Sequence, residues 1–264
     1  MSPVTIPQLP IETRKIRGAS ALAEWEQLRK STSHYPLIVG DNEDLARLSE
    51  QRAALESEHR TVQEILEKAA SFNYPEDFRL RKKKDAEELK ALIKKKRQDP
   101  KIDEAYKAFD EKFPNEDIHQ PQHGEWPTTP PGYTPLSILE KSTLQGKTFQ
   151  RRIIDEAVVL MLPTADWTEA FAMLNYGGWN ECPQPHEHIA AFRRWRDRFG
   201  LELVAMSSDT LELRPARHPQ TREDALALAL EQYEFCPDLV DQGGPLEELA
   251  AGLLAGNWWY FWWD

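Results

Sequence analysis

The sequence predicts an α+β protein in which helices pack on a small mixed or antiparallel sheet. The chain ends on an aromatic run at residues 258–264, which must be buried because so much exposed aromatic area would promote aggregation. We interpret this run as a strand that lies inside the sheet and is buried on both faces. A continuous apolar run at residues 157–163 has strand length and predicts a second buried strand, in the middle of the sheet. Apolar residues at helical spacing over Pro185–Phe199 predict a helix packed on these strands.

The composition is typical of a protein in the reducing cytoplasm. Of the 264 residues, 40% are hydrophobic and only two are cysteines, too few for a disulfide framework. The chain shows no basic start followed by an apolar core and no apolar stretch of about 20 residues, so we expect neither a signal peptide nor a membrane anchor. The net charge of -11 disfavours nonspecific nucleic-acid binding by the protein as a whole. We expect no cofactor.

Residues 1–42 are predicted to form an N-terminal segment that packs on the main domain. Pro3, Pro7 and Pro10 favour an extended arm or an edge strand, because proline removes a backbone donor from the ladder. An apolar residue at every third position between residues 19 and 30 predicts an amphipathic helix. Tyr35–Gly40 then predicts a short buried strand.

Residues 43–113 are predicted to be an inserted, charged helical hairpin. A helical period runs over Asp44–Phe72 and ends before Pro75. A second helix is predicted from Pro75 to about Arg97, and a third over Ile102–Phe113. We expect this region to project from the main fold as an antiparallel helical hairpin.

The second helix of this hairpin carries the strongest basic concentration in the chain. One interpretation is that it contacts an acidic partner protein or the phosphates of a nucleic acid. The alternative is a solvated helix face, because Asp85, Glu87 and Glu88 are interleaved and aromatic residues for base stacking are missing. The predicted partner-binding residues are Arg79, Arg81, Lys82, Lys83, Lys84, Lys94, Lys95 and Lys96.

Residues 114–150 are predicted to be a proline-rich loop or linker. Six prolines lie between positions 114 and 135, which favours irregular structure. Pro127–Pro130 fits a polyproline ligand pattern, which we interpret as a spacer. His119 and His123 have a spacing suited to a metal only on a helix, so solvent-exposed histidines are the expectation here.

Residues 151–264 are predicted to form the main domain. Gly200 should end the helix that begins at Pro185. Residues 201–206 and 210–215 predict a β-hairpin. Thr221 is a predicted N-cap for a further helix, and Leu246–Leu254 predicts the last one.

Several spaced motifs in this domain resemble the bacterial family known as domain of unknown function 4253. The resemblance covers residues 155–264 closely and residues 19–41 more weakly. Because the family brings no established activity, the resemblance implies no catalytic role. The motifs are Gly178-Trp179-Asn180 with Cys182-Pro183, Trp195 with Phe199-Gly200, Glu231-Gln232 with Cys236-Pro237-Asp238, Gln242-Gly243, and Phe261-Trp262-Trp263-Asp264.

Four side chains of the main domain have the chemistry of zinc ligands. They are Cys182, His186, His188 and Cys236, and a tetrahedral site needs four thiolates or imidazoles. Their spacing is irregular, whereas structural zinc sites usually show paired close spacings. We therefore predict no metal and expect two small buried thiols instead.

A second set of polar residues could line one cleft and act in acid–base or nucleophilic chemistry. Cys236 with His186 or His188 would supply a nucleophile and its base. The alternative is that these side chains satisfy buried backbone groups beside the aromatic core. The candidate catalytic residues are Asn180, Cys182, Glu231, Cys236, Asp238 and Gln242.

The function that these observations favour is macromolecular interaction in the cytoplasm. The acidic surface and the projecting hairpin would bind a partner, which we expect to be a protein. An inhibitor, an immunity protein or a phage- or plasmid-host conflict factor would work in this way. The alternatives are a hydrolase-like enzyme that uses the candidate catalytic residues, and a nucleic-acid binder that uses the basic helix at residues 79–97.

Overall fold

The protein is described here from a computed structural model that covers residues 11–57, 60–112, 120–145 and 148–264. The predicted arm at Pro3, Pro7 and Pro10 and the predicted loop residue His119 lie outside these residues. The described chain divides into two compact units. One comprises Met1–Ser71 with Pro121–Asp264, and the other is Phe72–Gln120.

The larger unit is built on a mixed six-stranded sheet, as the α+β prediction requires. The strand order is β1-β5-β2-β6-β7-β8, in which β2 and β6 are parallel and the other neighbours are antiparallel. A separate antiparallel hairpin joins β3 to β4. The strands of the described chain are β1 (Glu12–Arg17), β2 (Tyr35–Gly40), β3 (Glu140–Gln145), β4 (Thr148–Ile153), β5 (Glu156–Leu162), β6 (Glu202–Met206), β7 (Thr210–Arg214) and β8 (Trp259–Trp262).

The helices follow the apolar periods and capping residues of the sequence. Thr221 caps α8 by accepting a hydrogen bond from the Asp224 backbone N–H at 3.1 Å, and Gly200 ends α7 with a φ of 62° that suits glycine. The helices of the described chain are α1 (Ala21–Ser31), α2 (Asn42–Ser57), α3 (Val62–Ser71), α4 (Glu76–Lys96), α5 (Pro100–Lys112), α6 (Ala170–Met173), α7 (Pro185–Phe199), α8 (Arg222–Phe235), α9 (Asp238–Asp241) and α10 (Leu246–Ala255).

The aromatic strand β8 lies at the edge of the sheet, not inside it as predicted. It pairs with β7 on one side only, from Leu213 opposite Trp259 to Thr210 opposite Trp262. Its burial alternates, so the prediction of burial on both faces was wrong for every second residue. The predicted middle strand is confirmed, because β5 lies between β1 and β2.

Other differences concern elements with weak sequence signals. The helical period over residues 44–72 is divided between α2 and α3. The antiparallel strands β3 and β4 extend into the region predicted to be a proline-rich loop. β1 has charged residues at most positions, and its pairing with β5 rather than an apolar pattern fixes it as the other edge strand.

The core of the larger unit is an aromatic layer between α7, α8 and the inward side chains of β8. The Trp195 ring stacks on Phe261 with centroids 5.6 Å apart, and Phe192 meets Phe261 edge-on at 5.5 Å. Trp263 contacts Phe235 at 6.0 Å. Offset and edge-on pairs of this kind stabilise a core beyond the burial of their area.

The smaller unit is a two-helix hairpin formed by α4 and α5. Arg97, which follows α4, joins the helices through ion pairs with Asp110 and with Asp103, the latter at 3.4 Å. The Arg97 guanidinium also lies 5.1 Å from the centre of the Tyr106 ring. The predicted partner-binding residues all lie on α4, where Arg79, Lys83, Lys84 and Lys94–Lys96 are exposed and Arg81 and Lys82 are half-buried.

We predict that Phe261→Ala lowers the free energy of unfolding by about 3–5 kcal/mol, because it removes a fully buried ring from the aromatic core. Leu230→Ala, at an exposed position of α8, should change it by less than about 0.5 kcal/mol. Urea unfolding followed by far-ultraviolet circular dichroism measures both. Equal effects of the two substitutions would contradict the proposed core.

Candidate functional site

A surface cleft of about 670 Å³ lies beside β8, between α10, the start of α9 and a segment of the proline-rich loop. Its size is within the range of about 300–1,000 Å³ that is usual for ligand sites. The residues lining it are Pro130, Pro131, Gly132, Tyr133, Gln232, Asp238, Leu239, Gln242, Gly243, Glu248, Leu249, Gly252, Leu253, Ala255, Gly256, Asn257, Trp258, Trp259, Tyr260 and Trp262.

One wall of the cleft is aromatic. It includes Tyr260 and Trp262, whose half-buried side chains alternate with the inward residues of β8. Trp258, just before the strand, adds a third half-buried ring. Tyr133 comes from the proline-rich loop and packs on Tyr260 with ring centroids 5.4 Å apart. The wall therefore combines the edge strand with a loop distant in sequence.

Glu212, a buried carboxylate on β7, holds this loop in place. It pairs with Tyr260 in the sheet and accepts hydrogen bonds from the Tyr133 hydroxyl and from the backbone N–H and hydroxyl of Ser137, the latter two at 2.6 Å. Burial raises the pKa of the Glu212 carboxyl, and the hydrogen bonds from Ser137 and Tyr133 offset part of the rise. Its Oε2 atom has no hydrogen-bond partner among the described residues.

The charged residues that line the cleft are acidic. Asp238 and Glu248 line the cleft, whereas none of its lining residues is Lys, Arg or His. Gln242 donates to Asp238 Oδ1 at 2.8 Å. Burial raises the pKa of the nearby Asp241 carboxyl, and the neighbouring Asp238 raises it further.

Gln232 lies in the wall with an unsatisfied amide. The residue is 1% exposed, and its Nε2 atom has no hydrogen-bond partner in the part of the chain that the structure describes. A buried amide donor without a partner costs free energy, so such groups are rare outside sites that receive a ligand or water.

The structure places three of the candidate catalytic residues around the end of the aromatic strand. The Asn180 side-chain amide donates to the backbone oxygen of Asp264, and the Cys236 thiol donates to the Trp262 carbonyl at 3.0 Å. Asp238 Oδ2 accepts from the Asp264 backbone N–H at 3.1 Å. We call these three residues the C-terminal clamp, because each holds a backbone group of residues 262–264.

The candidate thiols and imidazoles lie beneath the tryptophans instead of in the cleft. Cys182 Sγ is 3.4 Å from His188 Nε2, and the His188 ring meets Trp263 edge-on at 5.3 Å. Burial raises the pKa of the Cys182 thiol, with a further contribution from the nearby Cys236, and burial lowers the pKa of His188. His186 is buried in the first turn of α7.

These positions do not form a recognisable metal centre. Among the described residues, no group of three or more His, Cys, Asp and Glu side chains is arranged to hold a metal ion. With these pKa shifts the Cys182 thiol and the His188 imidazole are neutral at pH 7, whereas an activated nucleophile is a thiolate.

Glu231 is engaged on α7 and does not line the cleft. It accepts a hydrogen bond from the Trp195 indole at 2.8 Å and pairs with Arg198 at 2.8 Å. Its neighbour Gln232 points elsewhere, since adjacent helical residues are about 100° apart.

Sequence reasoning did not select Glu212, Gln232 or Tyr133. Glu212 stands between Leu211 and Leu213 in a predicted strand. This position is the sequence feature that could have indicated a buried carboxylate. Gln232 belongs to the motif Glu231-Gln232. Of the two residues, only Glu231 was a candidate for acid–base chemistry, because only its side chain ionises. The sequence around Tyr133 does not indicate its role. That role depends on contacts with Glu212, which lies 79 residues later in the chain, and with Tyr260.

The fold and the cleft define an α+β domain with an aromatic edge strand. Residues 158–264 match the model of a family described as Domain of unknown function (DUF4253), which confirms the resemblance. The C-terminal part of this chain is therefore similar to that family. The cleft also uses Pro130–Tyr133, which precede the matched residues. No curated protein and no solved structure matches the chain.

In the described ranges of the chain, no helix is both long and apolar enough to span a membrane.

We predict that the buried carboxylate makes stability depend on pH. Because the folded state raises the pKa of Glu212, its contribution is fully present below the unfolded pKa and is lost as pH rises through the folded pKa. The free energy of unfolding of Glu212→Gln, measured in urea between pH 4 and 8, should therefore improve relative to the wild type as pH rises. Leu230→Ala, which exchanges groups that do not titrate, serves as the control. A pH-independent difference for Glu212→Gln would contradict the assignment.

We predict that both cysteines are protected in the folded protein, because Cys236 is fully buried and Cys182 is 5% exposed. Reaction with dithionitrobenzoate at pH 8 should be at least about 100-fold slower than in 6 M guanidinium chloride, since reagent access requires opening of the fold. Leu230→Cys supplies an exposed thiol as the control. Rapid reaction at Cys236 in the folded wild type would instead support the enzyme alternative.

Proposed function

We propose that this protein is a macromolecular interaction protein, and that the cleft beside β8 receives a segment of a partner polypeptide. The observation that carries this proposal is the half-buried aromatic wall that faces the cleft, formed by Trp258, Tyr260, Trp262 and Tyr133. Tryptophan and tyrosine at a surface supply large contact areas at low conformational-entropy cost, which is why they dominate the binding energy of interfaces.

The state of the candidate catalytic residues supports binding over catalysis. Asn180, Cys236 and Asp238 are occupied in the clamp on residues 262–264. Cys182 and His188 are buried, and burial shifts their pKa values toward neutral forms. A hydrolase would need a nucleophile with its base at an open site.

The hairpin of α4 and α5 supports a second binding surface. It carries exposed apolar side chains, among them Leu89 at 52% and Phe109 at 53% exposure, beside the predicted basic residues. Exposed apolar area with charge around it is typical of interaction surfaces. Binding of an acidic protein or of a nucleic acid through this helix remains a prediction.

Panning of a random peptide library on the immobilised full-length protein tests the cleft. The panning should enrich peptides that bind the wild type. Their affinity for the Gly252→Leu variant should be at least about tenfold lower, because the new side chain would occupy the cleft. Leucine suits the helical backbone of α10, and a Cβ at this position meets only Pro131 Cγ at 3.5 Å.

The matched control is Lys83→Glu with Lys84→Glu on the exposed face of α4. It should leave the binding of these peptides unchanged. Enriched peptides that bind Gly252→Leu as well as the wild type would refute a role for the cleft. If peptide binding were lost only in the α4 variant, the binding function would belong to the hairpin and not to the cleft.

A further inference from the structure

We infer that the cleft beside β8 recognises a basic side chain, Arg or Lys, carried by the partner polypeptide. This inference rests on the proposed function and adds the chemistry of the partner. Three features of the cleft support it: the charge of the lining, the aromatic wall and the unsatisfied amide of Gln232.

The charge of the cleft favours a cation. Asp238 and Glu248 line it and no basic side chain does, so the lining holds negative charge without an internal counterion. Gln242 donates to Asp238 but is neutral, and therefore leaves the charge in place. Asp241 adjoins this lining, and the pKa of its carboxyl is raised first by burial and then by the neighbouring Asp238. A ligand cation would relieve this repulsion.

The aromatic wall favours an organic cation with a long apolar stem. The face of an aromatic ring is negative, so a guanidinium or ammonium group is attracted to it, most strongly at tryptophan. The long methylene stems of Arg and Lys can pack on the rings while the charged group reaches a carboxylate. A small inorganic cation has no apolar stem to pack on Trp258, Tyr260 and Trp262, which constitute most of this wall.

Gln232 indicates that the cation belongs to a peptide. Its buried Nε2 donor lacks a partner among the described residues, and a peptide carbonyl on the ligand would accept from it after a small adjustment of the wall. A free cation has no such acceptor. The cleft volume of about 670 Å³ accommodates one long side chain with its adjoining backbone.

The test is a titration of full-length protein, followed by tryptophan fluorescence, with three blocked peptides: acetyl-Ala-Arg-Ala-amide, its citrulline analogue and its Glu analogue. Citrulline keeps the shape of arginine and removes the charge. The Arg peptide should bind at least about tenfold more tightly than the citrulline peptide, and 0.5 M NaCl should reduce this ratio. The Glu peptide should bind most weakly.

Two variants locate the effect. Glu248→Gln should lower the Arg-to-citrulline ratio, and it leaves the clamp intact because Glu248 takes no part in it. Trp262→Ala should weaken the binding of both peptides. Asp238→Asn is a second charge variant that keeps the shape of a clamp residue, and it should lower the ratio in the same way.

The outcomes separate this inference from the proposed function. Equal binding of Arg and citrulline peptides, or an Arg preference that survives Glu248→Gln and Asp238→Asn, would overturn the inference. Panning that yields cleft-dependent peptides without basic residues would also overturn it while leaving the proposed function intact. Binding of choline chloride in the absence of Arg-peptide binding would assign the cleft to a small organic cation instead. If neither the short peptides nor the library shows cleft-dependent binding, the proposed function fails as well.

Discussion

The period of two along β8 determines both the core and the cleft of the larger unit. Successive side chains of a strand point to opposite faces, so an uninterrupted aromatic run must divide between two environments. Trp259, Phe261 and Trp263 enter the core, where they meet the rings of α7 and α8. Tyr260 and Trp262 remain on the other face, where they form the cleft wall. One short strand thus stabilises the fold and supplies the aromatic wall of the cleft.

This division depends on the register of β8, which the clamp helps to fix. A slip of one residue would exchange the buried and half-buried rings. Asn180, Cys236 and Asp238 each hold a backbone group near the end of the strand, and the Trp263 backbone N–H donates to Asp209 at 3.1 Å. Several motifs that carry the family resemblance therefore have an architectural role, and their residue types reflect hydrogen bonding to backbone more than chemistry on a substrate.

Elements with local sequence signals were predicted correctly. Predictions were wrong or missing where tertiary contacts determine the position of an element. The helices α7 and α8 begin and end at residues with clear capping chemistry, Pro185, Gly200 and Thr221, and were predicted closely. The position of β8 at the edge was missed because an aromatic run shows that burial is needed but not which neighbours provide it. β1 escaped detection because its charged sequence lacks an apolar period and its pairing with β5 is the stabilising contact.

The candidate site was predicted only in part for the same reason. Asp238 and Gln242 were selected from the sequence as candidate site residues, and both line the cleft. Cys182, His188 and Glu231 do not line the cleft with them. The sequence could not predict this separation, since it depends on which side of the aromatic layer each residue occupies. Tyr133 and Glu212 meet only through the return of a distant loop to the sheet.

The acids beside β8 also bear on how an exposed edge strand is kept from pairing with another copy. An aromatic edge strand is a template for association, and proteins commonly protect such edges with charge. Two copies that met along β8 would each bring Asp238 and Glu248 to the contact, so like charges would oppose self-association. The same carboxylates would attract a basic partner. The charge that would oppose self-association along this edge is therefore the same charge that would attract the cationic ligand we propose, and both effects depend on the same residues.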